Sequence, residues 1–395
     1  MAFLSRRVFD YRLKLMRKMM AAEGLDALAF LSADFFQFAT NYHVDVQLWE
    51  RPIVVVVPVD GAPFAAMHEL STNHLRYARD RGTMWVEDVQ LYAEHPRVSA
   101  RLPLTPQWPE MVAELLREHG LGRARIGVDQ AGGLMQKAAA LLPDLKLVPS
   151  VRSMRELRFV KCAEEIAIHR DAAELSDWAQ NHYRAAIRPG RLVQEVDQEI
   201  AGLICQEAAR RFAGENIEPR CWTLSGAASA SPHGDGAPTG AKFGKGDVVV
   251  TICNVRMNGM MTENERTFFV GEPSNRQVAL YEAARAANEA GCAAAVAGNP
   301  VSAIDAAAQA AIEQAGFGEH IIHRTGHGMG VQGHEYPDDM AFNHRPLRLG
   351  EVYSVEPGIY VYGLGGFRID DTVVIGKTPE ILTQSPRDIR SNTLG

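Results

Sequence analysis

The sequence predicts two domains. An α/β domain spans residues 1–154, and an α+β domain spans residues 155–395 and is built on a curved antiparallel sheet covered by helices. Three observations predict it. A chain of 395 residues is longer than one hydrophobic core ordinarily serves. Its first 150 residues alternate short strand-like and helix-like runs, the pattern of an α/β layer. Its second half sets long helical stretches beside valine- and phenylalanine-rich strands with glycine-rich turns, an α+β pattern.

The elements follow in order. The N-terminal segment is basic at Arg6, Arg7, Arg12, Lys14, Arg17 and Lys18 but has no uninterrupted apolar stretch, so it does not read as a secretory signal. Leu13, Met16 and Met20 fall at helical spacing and predict an amphipathic helix closed by Gly24. Residues 27–31, 52–59, 63–67 and 125–128 read as strands, and 109–118 and 135–142 as helices. Residues 147–150 lead into a long helical run, which puts the domain boundary just before Arg155. Beyond it, residues 156–187, 193–212, 275–297 and 302–316 read as helical. Residues 220–225, 247–254, 263–270, 352–362 and 367–375 read as strands.

Composition narrows the functions. At 46% hydrophobic and 23% charged residues the chain reads as globular, and no apolar run reaches the roughly 18 residues that span a bilayer. A formal net charge of −7 disfavours nucleic acid and anionic membrane as partners and suits a cationic or zwitterionic ligand. The five cysteines form no CxxC, which points to a reducing, cytoplasmic setting, with Cys253 a small core residue.

Three segments hold the residues that can do chemistry: GDVVVTICNVRMNGMMTENERTFF (246–269), HRTGHGMGVQGHE (323–335) and SVEPGIYVYGLGGFRIDDT (354–372). HxTGHGxG, VEPG and GxRxxDT in this order resemble the creatinase, aminopeptidase P, prolidase and methionine aminopeptidase superfamily, whose fold is called pita-bread. The N-terminal domain also resembles that of the creatinase and prolidase branch, so the resemblance covers nearly the whole chain. It implies five metal-ligand places, which fall here on Ile252, Glu263, His327, Glu356 and Asp370, the first two 11 positions apart. Ile252 cannot ligate, and Glu263 and Asp370 each differ by one methylene from the residue expected. Hard divalent ions need several oxygen donors in tight geometry, so the expectation is no metal and no cofactor.

The resemblance to the metal-free, creatinase-like branch implies a catalytic set of His233, Glu265 and Glu356. A histidine near neutrality passes protons in both directions, and a carboxylate can position a delocalised cation, activate water or attack. It also implies substrate binding by Trp49 and Arg51 of QLWERPIVVVV. This N-terminal loop would complete the neighbouring active site of a homodimer, arginine being suited to carboxylate capture. Trp222, Glu263, His327, His334 and Tyr336 complete the expected substrate-binding set, with His323 beside them. His43, His68, His74 and His169 read as structural.

Arg51 at one end and carboxylates at the other fit a small zwitterion. The hairpin ICNVRMNGMMTENERTFF resembles that of the ectoine hydrolases. That implies metal-independent hydrolysis of a C–N bond in a cyclic amidine, with ectoine opened to N-acetyl-diaminobutyrate in ectoine degradation. Alternative readings are a creatine amidinohydrolase, a metal-dependent Xaa-Pro dipeptidase, a metal-dependent lyase of the same fold, and a non-catalytic pita-bread binding module.

Overall fold

The computed structural model describes residues 4–44, 46–94, 105–234, 236–335 and 340–395. The chain divides into two compact units, one ending at Arg158 and one running from Phe159 to Gly395.

In the N-terminal unit the first helix, α1 (Arg6–Glu23), starts where Ser5 accepts the Arg7 N–H at 3.2 Å. It stops at Gly24, whose φ of 62° is one that glycine adopts without strain. Strands β1 (Ala27–Phe30), β2 (Val54–Pro58), β3 (Phe64–His68), β4 (Asp88–Tyr92), β5 (Arg125–Val128) and β6 (Lys146–Pro149) form one mixed sheet in the order β4-β3-β2-β1-β5-β6. Helices α2 (Ala33–Thr40), α3 (Thr72–Asp80), α4 (Trp108–Glu118), α5 (Gly133–Ala140) and α6 (Val151–Glu156) accompany it. Ala29, Val56, Ala66 and Ile126 of the sheet pack with Trp108, Val112 and Leu116 of α4. The sequence reading lacks β4 because DVQLY is a partly exposed edge strand without an apolar run.

The C-terminal unit is the curved sheet and its helices. Its helices are α7 (Ala163–Ala186), α8 (Val193–Arg211), α9 (Asn275–Ala294), α10 (Ser302–Gln314) and α11 (Ile389–Asn392). Its strands are β7 (Ile217–Ser225), β8 (Val248–Met257), β9 (Met260–Val270), β10 (Val352–Val355), β11 (Gly358–Val361), β12 (Gly365–Arg368), β13 (Asp370–Val374), β14 (Glu380–Ile381) and β15 (Thr393–Leu394). The order β10-β13-β9-β8-β7 is antiparallel throughout; β14 pairs with β13, β15 lies parallel to β9, and β11 and β12 form a separate ribbon. Helix α7 packs on β8 and β9, and α9 on α10.

Three predicted elements are divided. The helix expected over 156–187 is interrupted before α7, where the Glu165 carboxylate accepts the Cys162 N–H at 2.7 Å and caps a fresh start. The strand expected over 352–362 breaks at Glu356-Pro357, because proline offers no N–H to a ladder. The strand expected over 367–375 breaks at Ile369, where the chain leaves the ribbon and enters the main sheet.

The β8–β9 hairpin sets the register of the chemistry. Asn258 and Gly259 both have positive φ, 47° and 85°, so the two-residue loop is a type I′ turn, whose twist matches the paired strands. That turn places Asn254 opposite Glu263 and Ile252 opposite Glu265, and β13 then brings Asp370 opposite Glu265. The next residue, Arg266, is fully buried. It reaches Asp371 at 2.9 Å and donates to the Asp370, Glu265 and Ser385 carbonyls, tying β9, β13 and the C-terminal segment together. Burial raises the Asp371 carboxyl, but Arg266 and Arg387 outweigh it and hold the group below its ordinary range.

Two predictions follow from these ion pairs. Arg266→Ala leaves a buried carboxylate without its main partner and is expected to cost about 3–5 kcal/mol of unfolding free energy in a denaturant titration. In the N-terminal unit, Asp34 meets Arg158 at 2.5 Å; burial raises the Asp34 carboxyl, yet Arg158 brings it below the ordinary value. A depressed carboxyl stabilises above its unfolded pKa and loses that contribution as pH falls through the folded one. The stability difference between wild type and Asp34→Asn is therefore expected to be full at neutral pH and to shrink below about pH 4.

Candidate metal centre

Glu263 and Glu265 are two apart on β9 and point to the same face of the strand. Asp370 enters beside them at the start of β13. His327 lies in the loop after α10, and Glu356 follows β10; backbone bonds from Ser354 N to His327 O (2.9 Å) and from Glu356 N to Thr325 O (2.6 Å) lace these two stretches together. The lacing depends on Gly326, where an added Cβ would stand 2.0 Å from the Ser354 carbonyl oxygen.

His327 Nε2 is buried and has no hydrogen-bond partner. It sits 3.4 Å from Glu263 Oε2 and 3.4 Å from Glu356 Oε1. Its ring stacks on that of His334, centroids 3.7 Å apart, and Glu263, His327 and His334 hold ligand-capable atoms all within 4.8 Å of one another. Asn254 Nδ2 donates to Glu263 Oε1 at 2.9 Å. Asp370 Oδ1 accepts from Ser354 Oγ at 2.8 Å, while its Oδ2 is buried without a partner.

The other end of the site is different. Arg368, 2% exposed, donates from Nη2 to Glu265 Oε1 at 3.0 Å, brings Nε against Glu265 Oε2, and places Nη1 3.9 Å from Glu356 Oε2. Tyr360 OH links Arg368 Nη1 (3.4 Å) to His323 Nε2 (2.8 Å). Ile252 is fully buried in an apolar cluster with Leu224 and Val250, against which Trp222 packs.

The electrostatics follow from four buried carboxylates facing one guanidinium and one imidazole. Burial raises Glu265 to about 8 despite Arg368, with Glu356 and Glu263 adding to the rise. Burial likewise lifts Asp370 well above its ordinary value, reinforced by Glu265, Glu263 and Glu356. Glu356 goes the other way. Burial alone would raise it, but His327 and Arg368 bring it to about 2. His327, which burial would lower, is held well above its ordinary range by Glu263 and Glu356. The pocket thus relieves its excess negative charge with protons, and a divalent cation would relieve it better.

The donors whose atoms lie close enough together to fit one divalent ion are Glu263, His327 and His334, and Glu356 Oε1 stands 3.4 Å from His327 Nε2. They do not fit a second ion, because Ile252 offers no lone pair and Glu265 is paired to Arg368. The expectation that the altered ligand set excludes a metal is corrected to this extent: Glu263, His327 and His334 still hold ligand-capable atoms within 4.8 Å of one another.

The remaining predicted residues are dispersed. His233 is exposed on a loop, its ring centroid 6.4 Å from that of His323, and the neighbouring Pro232 carbonyl accepts from Arg368 at 3.2 Å. Trp222 is half-buried on β7 under the Arg220 guanidinium, 4.3 Å from its ring. In the N-terminal unit, Arg51 is engaged by Glu50 at 2.9 Å and by Glu94, and Trp49 is 83% exposed at the edge of a cavity of about 490 Å³. Tyr336 lies outside the described residues. His169 is a buried partner of Thr262, at 3.2 Å. Sequence reasoning missed Asn254, Arg368, Tyr360 and Arg324; the alternation that pairs Asn254 with Glu263 across the hairpin was the available signal.

Residues 12–160 match the Creatinase/Prolidase N-terminal domain, and residues 167–377 match metallopeptidase family M24. The chain is similar to an Xaa-Pro dipeptidase of Pyrococcus furiosus, 28% identical over 85% of this chain and 94% of that protein. Among solved structures, dipeptidase PepE from Mycobacterium ulcerans superposes with a TM-score of 0.79 at 27% identity, covering 98% of both chains. An Xaa-Pro dipeptidase from Bacillus anthracis shares the fold with a TM-score of 0.81 at 24% identity, covering 98% of this chain and 100% of the other. These relatives overturn the expected metal-independent ring opening of ectoine: they are dipeptidases, and the matching catalytic domain is that of a metallopeptidase family.

Gly326→Ala is expected to push the His327 loop off the Ser354 carbonyl. Divalent-ion affinity, read by calorimetry, should fall by at least about tenfold while far-ultraviolet circular dichroism stays native.

Proposed function

The chain belongs to metallopeptidase family M24, and from that premise we propose that it hydrolyses the peptide bond of small peptides, Xaa-Pro dipeptides first among them, with one divalent ion per chain. The observation that carries the reading is the buried, unpartnered His327 Nε2 standing 3.4 Å from both Glu263 and Glu356. The dipeptidase names of its relatives support the substrate class.

A divalent ion held by Glu263, His327 and His334, with Glu356 beside His327, would supply Lewis-acid polarisation of the scissile carbonyl. The chain's own groups do the rest. Arg368 binds Glu265 and steadies Glu356, so the carboxylate wall keeps its shape as charge develops against it. His334, stacked on His327, restricts that ring to one orientation and presents its edge to the substrate. His233, exposed beside His323, is placed to carry a proton between the pocket and solvent. Trp222 closes the apolar side, where Ile252 and Leu224 exclude water. The proposal retains a homodimer, supported by the exposed Trp49 ring, and light scattering would measure it. It also retains a cytoplasmic setting; no helix among the described residues is long and apolar enough to cross a membrane.

Assays on Xaa-Pro dipeptides after chelation, combined with elemental analysis, test the reading. Activity is expected to disappear with chelator and return with a divalent ion, at a stoichiometry of about one per chain. Full activity without any metal would sink it, and two tightly held ions per chain would sink the single-ion form. His327→Ala is expected to lose the ion and to lower kcat/KM at least about a hundredfold.

A further inference from the structure

Two of the five cysteines stand opposite each other in the main sheet, away from the metal site. Cys221 on β7 and Cys253 on β8 are direct cross-strand partners in an unbroken antiparallel register. The β8–β9 hairpin fixes which kind of pair they form. Its two-residue loop makes Met257 and Met260 a hydrogen-bonded pair, and the two kinds of pair alternate from there. Counting back along β8, Cys253 directs its amide and carbonyl at Asn264 of β9. Towards β7 it therefore stands in a non-hydrogen-bonded pair, in which Cα atoms approach to about 4.5 Å and side chains come closest. Disulfides span Cα separations of roughly 4.4–6.8 Å, so this pair can be bridged without unpairing the strands.

The two sulfurs differ in setting. Both side chains point to the helix-covered face of the sheet, opposite to Trp222 and Ile252, the next pair along the strands. Cys253 is fully buried, whereas Cys221, on the strand that ends the sheet, is half-buried. A hydrogen bond to Cys221, reinforced by burial, holds the Cys253 thiol well above its ordinary range. Cys253 is thus a protonated thiol resting on its neighbour's sulfur, and Cys221 is the sulfur that a dissolved reagent reaches first. The packing around them is fixed: Tyr183 of α7 donates to Asp197 of α8 at 2.8 Å, and Asp197 accepts from the Thr223 hydroxyl of β7 at 2.6 Å.

We propose that Cys221 and Cys253 are a peroxide-responsive dithiol, which closes to a cross-strand disulfide and fastens the edge strand β7 to β8. The Cys221 thiolate attacks one oxygen of a hydroperoxide. The O–O bond breaks, the sulfur keeps that oxygen as a sulfenic acid, and the other oxygen leaves with the proton that Cys221 released, as water or an alcohol. The Cys253 sulfur then attacks the sulfenic sulfur. The S–S bond forms as the S–O bond breaks, and the departing hydroxide takes the Cys253 proton to become water. The two thiols together lose two electrons and the peroxide gains them; a dithiol reductant reverses the change. The site is independent of the peptidase reading. It bears on the pocket through Trp222, which follows Cys221 on β7 and packs against the Ile252 cluster.

The test treats the reduced wild type, Cys221→Ser and Cys253→Ser with hydrogen peroxide, counts thiols after denaturation and maps peptides without reduction. The wild type is expected to lose two of its five thiols and to yield Cys221 linked to Cys253 within one chain, with both thiols returning in dithiothreitol. Neither serine variant should form the link, and Cys253→Ser should stop at a Cys221 that dimedone, a trap for sulfenic acid, labels. Hydrogen exchange of the β7 amides should slow at least about tenfold in the oxidised wild type and stay unchanged in peroxide-treated Cys221→Ser. The map and exchange of the wild type decide the matter even where a serine variant fails to fold. Cysteines oxidised singly, linked in other pairs or linked only between chains, in place of this bond, overturn the proposal. A Cys221–Cys253 bond with unchanged β7 exchange overturns the fastening of the edge strand.

Discussion

Negative charge taken out of water is the constraint on which the C-terminal unit turns. Glu263, Glu265, Glu356 and Asp370 are all buried, and their mutual repulsion in a weakly screened interior would be prohibitive if all four were ionised alone. The structure meets it in layers. Arg368 takes Glu265, His327 sits between Glu263 and Glu356, and burial pushes the Asp370 carboxyl well above its ordinary range. Beneath them, Arg266 pins the β9–β13 junction that aims these carboxylates, paired in turn with the fully buried Asp371. The same excess that makes the pocket costly to fold makes it receptive to a divalent cation.

Ile252 gives this balance its particular form. A carboxylate there would add a further charge opposite Glu265. An isoleucine instead joins Leu224, Val250 and Trp222 in an apolar wall, and Glu265 is left to Arg368. The site therefore has two unlike ends: a donor-rich end at His327, and a dry end where Glu265 is paired with Arg368 beside the Ile252 cluster.

Much of this was legible in the sequence and some of it could not have been. Chain length and the change from alternating short elements to long helices beside valine-rich strands disclosed the two-domain architecture, and TENERT, TGHGMG, VEPG and GFRIDDT disclosed the candidate pocket residues, because those signals are local. The register of the hairpin was legible too, since Asn258-Gly259 dictates it. Arg368 was visible only as a motif letter; its partner Glu265 is 103 positions away and meets it through strand pairings that no spacing reveals. The mistake about chemistry had the same origin. Weighed one by one, the ligand places suggested a ruined cage, whereas in space the surviving donors gather around His327 and the missing one falls at the opposite end.

The backbone lacing between the His327 loop and the strand carrying Glu356 has a consequence beyond position. Two bonds, Ser354 to His327 and Glu356 to Thr325, make the imidazole and the carboxylate a single stiff body. An arriving ion finds its donors already gathered, so the ordering entropy has been settled during folding rather than at binding. If the proposed ion binds, a rigid mouth of this kind would select by ionic radius, neither shrinking around a small ion nor spreading for a large one.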